Sequence, residues 1–207
     1  MKRIIKNAIL VMLLAVTGSL SAQTMINGGY KVNMLNHEGT ESLDIFGGYY
    51  VGLTQNVALS AHTGWAPGIY FTRFSGEYTN TKEGVESHHS QTETAIAVPA
   101  PLNAHLNFTE KSCLYLFAGP EFNIGIGSKG SAWLGEGSTK ESYDSYEEGS
   151  IYERNRFNIS WIGGVGLKLD FVTFTMGATG NFFNRMVSDN VAPEKAYSLF
   201  FGLGLAF

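Results

Sequence analysis

Two stretches of the sequence combine residue types that bind ligands in other proteins. Residues 125–130, Gly-Ile-Gly-Ser-Lys-Gly, match the glycine spacing of dinucleotide-binding loops. Such a loop holds a pyrophosphate only where it opens an amphipathic helix. Here Ser131, Trp133 and further glycines follow instead. We therefore interpret the glycines as a strand end that enters a loop, and we expect no cofactor.

The second stretch is the pair His88-His89, which could bind a metal ion together with Glu86 or Glu93. Adjacent histidines in a polar segment are usually solvated, so no metal site is predicted. The acidic segment 141–148 offers carboxylates to calcium but lacks the spacing of a dedicated calcium loop. A solvated acidic surface explains it better.

The elements that would carry these residues follow from hydrophobic alternation. Eight segments place apolar side chains at every second position, a period that only an extended strand turns into one face. They span residues 25–34, 43–54, 57–72, 92–108, 113–127, 156–169, 172–183 and 196–207. The fold class predicted is an all-β, eight-stranded, antiparallel up-and-down transmembrane barrel. Aromatic residues near strand ends, among them Tyr70, are expected to form girdles at the membrane interfaces.

The last strand shows this pattern most clearly. Leu199, Phe201, Leu203, Leu205 and Phe207 share one face, and mostly small residues share the other. The terminal phenylalanine after alternating apolar residues resembles the carboxyl-terminal sorting signal of Gram-negative outer-membrane barrels. The resemblance implies that Leu203, Leu205 and Phe207 are recognised by the barrel assembly machinery.

The amino terminus indicates export. Lys2, Arg3 and Lys6 precede an apolar run and then Ser-Leu-Ser-Ala-Gln, which predicts a signal peptide over residues 1–22 with cleavage after Ala22. Residues 23–207 then form one barrel domain with 11 basic and 18 acidic residues, so nucleic acid is not an expected partner. Cys113 has no second cysteine to pair with and is expected to pack inside a strand.

The predicted connections alternate in length. Short turns fall at 55–56, 109–112 and 170–171, and longer loops at 35–42, 73–91, 128–155 and 185–195. Bacterial barrels keep short turns in the periplasm, so both termini are expected there and the loops outside. Pro99, Pro101 and Pro120 each remove a backbone donor, which predicts bulges or unpaired positions within the strands.

Residues 97–102, Ala-Val-Pro-Ala-Pro-Leu, followed after a turn by Leu-Tyr-Leu-Phe-Ala-Gly-Pro at 114–120, carry a family resemblance. They resemble the fourth and fifth strands of PorT-like, OmpX-like small outer-membrane barrels of Bacteroidetes. The resemblance implies the eight-stranded fold and the outer membrane. It implies no activity, because most members of that family lack an assigned one.

An eight-stranded barrel has an interior that side chains nearly fill, so a diffusion pore is not expected. Polar residues predicted to face this lumen carry both signs of charge and are expected to neutralise each other as a network. They are Lys31, Asp44, His62, His105, Glu121 and Lys168. A proton or ion path is the alternative interpretation.

The preferred functional interpretation is a monomeric structural or surface-interaction barrel without enzymatic activity. Its loops 73–91 and 128–155 would face an extracellular protein or glycan, with Tyr143, Tyr146 and Tyr152 as candidate contacts. One alternative is a lipid-modifying enzyme, for which His88, His89 and Ser90 are the outward candidates. The other is a soluble lipocalin-like binding barrel, which would place its apolar side chains inside.

Overall fold

The computed structural model describes residues 22–37, 43–82, 85–134, 138–150, 153–187 and 194–207. Within these ranges the chain folds into β-strands joined by turns and irregular segments. None of the described residues forms a helix long and apolar enough to span a membrane. Nearly all of the predicted signal peptide and Tyr152 lie outside the described residues.

Eleven strands follow one another along the chain. Their bounds are β1 Ala22–His37, β2 Leu43–Ala58, β3 Thr63–Trp65, β4 Gly68–Lys82, β5 Val85–Pro99, β6 Leu102–Asn107, β7 Ser112–Leu134, β8 Glu141–Asp144, β9 Phe157–Leu169, β10 Val172–Asn181 and β11 Glu194–Ala206. All pair antiparallel with their neighbours.

The sheet closes on itself because β1 has a partner on each side. Ile26 lies opposite Leu53 of β2 and opposite Leu205 of β11. The pairs β3–β4 and β5–β6 are each two halves of one ring strand, and β8 lies outside the ring as a partner of β7. The ring therefore has eight strands, and the predicted fold class is confirmed.

Proline marks the two places where ring strands break. Pro67 lies between β3 and β4, and Pro101 lies between β5 and β6. Their carbonyl groups still accept bonds from neighbouring strands, from Gln55 N and Ala66 N respectively, each at 2.9 Å. Of the three prolines predicted to interrupt strands, Pro101 lies at such a break, whereas Pro99 and Pro120 lie within β5 and β7, opposite Glu121 and Trp161.

The alternation of side chains follows the predicted faces. In β11, Leu199, Leu203 and Leu205 are about half exposed, whereas Ser198 and Phe200 are buried in the lumen. Tyr70 departs from the prediction, because it faces the lumen, where its hydroxyl lies 2.5 Å from Thr54 Oγ1, and so is not a girdle residue. The outward apolar side chains of the ring strands form an apolar band around the barrel. The soluble lipocalin-like alternative is therefore wrong, since it requires the apolar side chains inside.

One end of the barrel carries the short turns 59–62, 108–111 and 170–171, and we call it the short-turn end. Phe207 N donates to Thr24 O at 3.0 Å, so both described ends of the chain lie there. The opposite end is called the long-loop end. The first turn falls later than predicted, because β2 continues to Ala58.

Three strands continue past the ring at the long-loop end. The β2–β4 pairing stops at Gly47 and Ser75, but β4 and β5 stay paired to Lys82 and Val85. We call residues 76–82, 85–91 and 127–134 together with β8 the projecting sheet. At about 3.3 Å per residue, β4 alone extends about 23 Å beyond its last pair with β2. Much of the predicted loops 73–91 and 128–155 is therefore strand.

The apolar band predicts a sharp sensitivity to charge on the outer face. Leu199→Arg should lower the free energy of unfolding by about 2–4 kcal/mol, because the guanidinium would enter hydrocarbon near the middle of β11. Urea unfolding in phospholipid vesicles measures this change. Leu59→Arg is the matched control, since exposed Leu59 lies in a turn, where about 0–1 kcal/mol is expected. Equal losses at both positions would contradict the assigned band.

Candidate functional site

Two arginines and two glutamates meet inside the long-loop end of the lumen. Arg154, Arg185, Glu93 and Glu194 are at least 87% buried, with side-chain exposures of 5, 8, 13 and 0%. We call them the ion quartet. Each arginine contacts both glutamates: Arg154 with Glu194 and Arg185 with Glu93 are the closer pairs, and Arg154–Glu93 and Arg185–Glu194 lie at 3.8 and 3.6 Å.

The glutamates come from the barrel wall and the arginines from the connections above it. Glu93 projects inward from β5, and Glu194 is the first residue of β11. Arg154 forms an isolated bridge with Met186, and Asn155 N donates to Arg185 O at 2.8 Å. The segments that contain Arg154 and Arg185 are thus joined by backbone contacts, and their side chains enter the lumen together.

Tyr146 attaches the connection that carries Arg154 to the same cluster by a second contact. Its hydroxyl donates to Glu93 Oε1 at 2.9 Å, and the Arg156 guanidinium lies 5.1 Å from the centre of its ring. Burial, and then the charge of Glu93, raise the pKa of Tyr146, so the phenol remains protonated and donates. The ring also requires glycine at position 125, because a Cβ there would lie 2.1 Å from the Tyr146 hydroxyl oxygen.

The charge balance of the quartet explains how it tolerates burial. Two guanidinium groups and two carboxylates sum to no net charge, and each charge has two opposite neighbours. Buried charges destabilise a fold unless they are paired and hydrogen bonded in this way. The arrangement ties the connections to the wall; it contains no serine or histidine that could act as a nucleophile or base.

The predicted lumen network is divided into separate contacts. Lys31 Nζ lies 3.7 Å from Glu121 Oε1 near the middle of the barrel, with side-chain exposures of 9 and 4%. Lys168 Nζ donates to Gln23 Oε1 at 2.5 Å nearer the short-turn end. Asp44 is buried as well.

The two predicted histidines of the network lie near the short-turn end. His105 Nδ1 is 3.7 Å from the Cys113 sulfur, which is buried as expected. The prediction that His62 faces the lumen is wrong, because His62 is exposed in the turn between β2 and β3. The turn forms there because Leu59 N and Ser60 N both donate to Thr63 O.

The candidate contact tyrosines also differ from expectation. Tyr146 is only 7% exposed, so it is a structural residue and not a partner contact. Tyr143 is half-buried beside Gly130. The terminal residues Leu203, Leu205 and Phe207 lie on the outward face, and their sorting role stays a prediction.

The other predicted motifs are parts of strands. Residues 125–130 lie within β7, where no helix follows. His89 is buried, whereas His88 stacks on Trp133 with ring centres 5.5 Å apart on the other face of β5. The interpretation of His89 as a solvated loop residue is therefore wrong. Among the described residues, no three histidine, cysteine or acidic side chains cluster as metal ligands.

Sequence reasoning did not identify the ion quartet. Arg154 and Arg185 lie in connections without periodicity, and only Glu93 occupies an inward strand position. The signal available was weak: charged residues of opposite sign next to predicted strand ends. Which of them meet depends on how the connections fold over the lumen.

A family model described as "Outer membrane protein beta-barrel domain" matches residues 16–200. Comparison with curated proteins finds no match.

Three solved outer-membrane protein structures are similar to this chain. Ail, the attachment invasion locus protein of Yersinia pestis, is 12% identical over 91% of this chain and 100% of its own, with a TM-score of 0.49. Neisserial surface protein A is 10% identical over 90 and 99%, with a TM-score of 0.47. The outer membrane protein OprG from Pseudomonas aeruginosa is 12% identical over 92 and 98%, with a TM-score of 0.35.

Removal of one charge should destabilise the quartet strongly. Glu194→Gln would leave two buried guanidinium groups facing one carboxylate, and we expect a loss of about 3–5 kcal/mol in the free energy of unfolding. Urea unfolding in vesicles measures it, with Glu110→Gln as the matched control at an exposed carboxylate.

The paired variant separates charge balance from lost packing. Arg154→Met combined with Glu194→Met removes one charge of each sign. The double variant should therefore lose less free energy of unfolding than the sum of the losses in Arg154→Met and Glu194→Met alone. Strict additivity would contradict a coupled quartet.

Proposed function

This chain belongs to the outer membrane protein β-barrel domain family, and on that premise we propose that it presents the projecting sheet to an extracellular protein or glycan. The observation that carries the proposal is the continuation of β4, β5 and β7 past the ring as a paired sheet. Surfaces of barrels that serve interaction are carried by the elements beyond the membrane.

Side-chain contacts support a defined shape for this sheet. Within it Thr79 Oγ1 lies 3.0 Å from His88 Nδ1, and at its base Ser75 Oγ lies 3.0 Å from Thr92 Oγ1, both between β4 and β5. Lys140 Nζ lies 4.1 Å from the centre of the Trp133 ring, which also stacks on His88. A surface that is ordered before binding loses less entropy when a partner docks.

We propose that the lumen carries no diffusion pathway. The quartet occupies its long-loop end, and the Lys31–Glu121 pair lies across its middle. Tyr50 and Phe200 add apolar bulk in the same region, with ring centres 6.0 Å apart. An eight-stranded ring leaves little further space.

A non-enzymatic role is part of the proposal. The histidines that could serve catalysis project to opposite faces of β5, where His88 contacts Thr79 and Trp133 and His89 is buried. Ser90 lies opposite Glu77 and Ser131 in the sheet. This arrangement supports packing and not a serine–histidine pair with an acidic orienter.

Finer placement in the PorT-like, OmpX-like branch of Bacteroidetes is also proposed. Its support is the motif at 97–102 and 114–120, which falls at the break between β5 and β6 and on the paired part of β7. We further propose cleavage of a signal peptide after Ala22, the residue at which β1 begins.

Orientation is tested by thiol labelling of intact cells. Single cysteines are introduced by Ser142→Cys and Ala61→Cys in a Cys113→Ser background, since both positions are exposed at opposite ends. We expect an impermeant thiol reagent to label position 142 alone, with both termini in the periplasm. Labelling at position 61 alone would reverse the orientation and overturn a surface role for the sheet.

The surface role is tested by shortening the projecting sheet. Gly76 and Gln91 lie opposite each other, so residues 77–90 are replaced by Asn-Gly, a turn suited to a two-residue hairpin. Cells carrying the intact protein should bind immobilised extracellular-matrix proteins or glycans from a panel, and the shortened variant should bind at background level.

Two controls make this experiment decisive. Heat-modifiable gel mobility verifies that the shortened barrel folds, and the Leu59→Arg variant, altered at the other end, should retain binding. Equal binding by intact and shortened proteins, or no binding by the intact protein, would contradict the proposal.

A further inference from the structure

A cavity occupies the half of the lumen between the Lys31–Glu121 pair and the short-turn end. Its volume is about 100 Å³, and it adjoins a second space of about 190 Å³ at the mouth of the barrel. Asn56, His105, Cys113 and Lys168 line both. The cavity is therefore reached from the short-turn end, and its size approaches that of the roughly 150 Å³ cavities that bind benzene.

Aromatic side chains form the inner part of the cavity. Tyr50 packs edge-on against Tyr70 and Phe200, with ring centres 5.4 and 6.0 Å apart. Phe117 lies 6.3 Å from Phe200, and buried Ile162 completes this apolar wall. Aromatic side chains such as these can make edge-to-face or offset contacts with a flat aromatic ligand.

The Lys168 side chain places a positive charge at the outer part of the cavity. Lys168 Nζ donates to Gln23 Oε1 and makes no ion pair with any described residue. Lys111, at the same end, lies 3.8 Å from Asp170 Oδ1 and is exposed. Because an ammonium group has three donors, Lys168 retains capacity to bind a carboxylate.

An unsatisfied acceptor lies deeper in the same cavity. Asn103 is 6% exposed, and its Nδ2 donates to Asn56 Oδ1 at 3.3 Å. Its Oδ1 is buried and accepts no hydrogen bond from the described residues. A buried acceptor without a donor destabilises a protein, so a ligand hydroxyl here would contribute favourably.

We propose that this cavity binds a small hydroxylated aromatic carboxylate. The ring lies against the wall of Tyr50, Tyr70 and Phe117, the carboxylate accepts from Lys168 Nζ, and the hydroxyl donates to Asn103 Oδ1. The ligand enters from the short-turn end. This binding is independent of the surface role proposed for the other end.

Titration calorimetry with the full barrel in lipid nanodiscs tests the site. The probe is 4-hydroxybenzoate; benzoate lacks the hydroxyl and phenol lacks the carboxylate. We expect saturable binding of 4-hydroxybenzoate and weaker binding of both comparison compounds. Nanodiscs without protein measure partition into lipid, and no saturable binding above that level would overturn the proposal.

Single substitutions assign the two polar contacts. Lys168→Gln should weaken 4-hydroxybenzoate by about tenfold or more, as expected for loss of a hydrogen bond to a charged group, and leave phenol unchanged. Asn103→Ala should reduce 4-hydroxybenzoate to the affinity of benzoate. Lys111→Gln is the matched control and should change neither.

The proposal remains testable if a substituted barrel fails to fold. Wild-type protein alone compares benzoate and 4-hydroxybenzoate with phenol, which tests the contribution of the cation and the acceptor without substitution. Equal affinity for all three compounds, or equal losses in Lys168→Gln and Lys111→Gln, would overturn the assigned contacts.

Discussion

Satisfaction of backbone hydrogen bonds is the constraint on which the rest of this structure depends. In a bilayer, an unpaired N–H or C=O group has no water to bond, so strands can span it only as a closed ring. Here closure is made by β1, which pairs with β2 along one edge and with β11 along the other. Pro67 and Pro101 are tolerated because they fall at gaps between strands, where their carbonyl groups still accept hydrogen bonds from the neighbouring ring strand.

Because the ring is closed, charged side chains that face its interior must neutralise one another. The quartet does so at one end with two guanidinium groups and two carboxylates, and Lys31 with Glu121 does so near the middle. Lys168 has no acidic partner among the described residues, and the cavity lies beside it. The lumen thus passes from a filled, neutral region to a more open, cationic one.

The predicted ring strands agree with the structure because period-two alternation reports which face meets lipid and which meets the lumen. The predicted strand ends differ more from the strand ends in the structure. The turn at 55–56 lies at 59–62, and loops 73–91 and 128–155 contain the projecting sheet. Beyond the membrane both faces are polar, so alternation no longer distinguishes strand from loop. For the same reason the sequence predicts His89 and Tyr146 to be surface residues, although both are buried.

Local alternation is sufficient to predict the ring strands, the apolar outer face and the inward position of Lys31, Glu121 and Lys168, since the face of each residue depends only on its parity along the strand. Tertiary structure decided which charges meet. Arg154 and Glu194 are 40 residues apart, and Glu93 and Arg185 are 92 apart. Their contact depends on ring closure, strand stagger and the path of the connections over the lumen, and none of these is encoded in a local pattern.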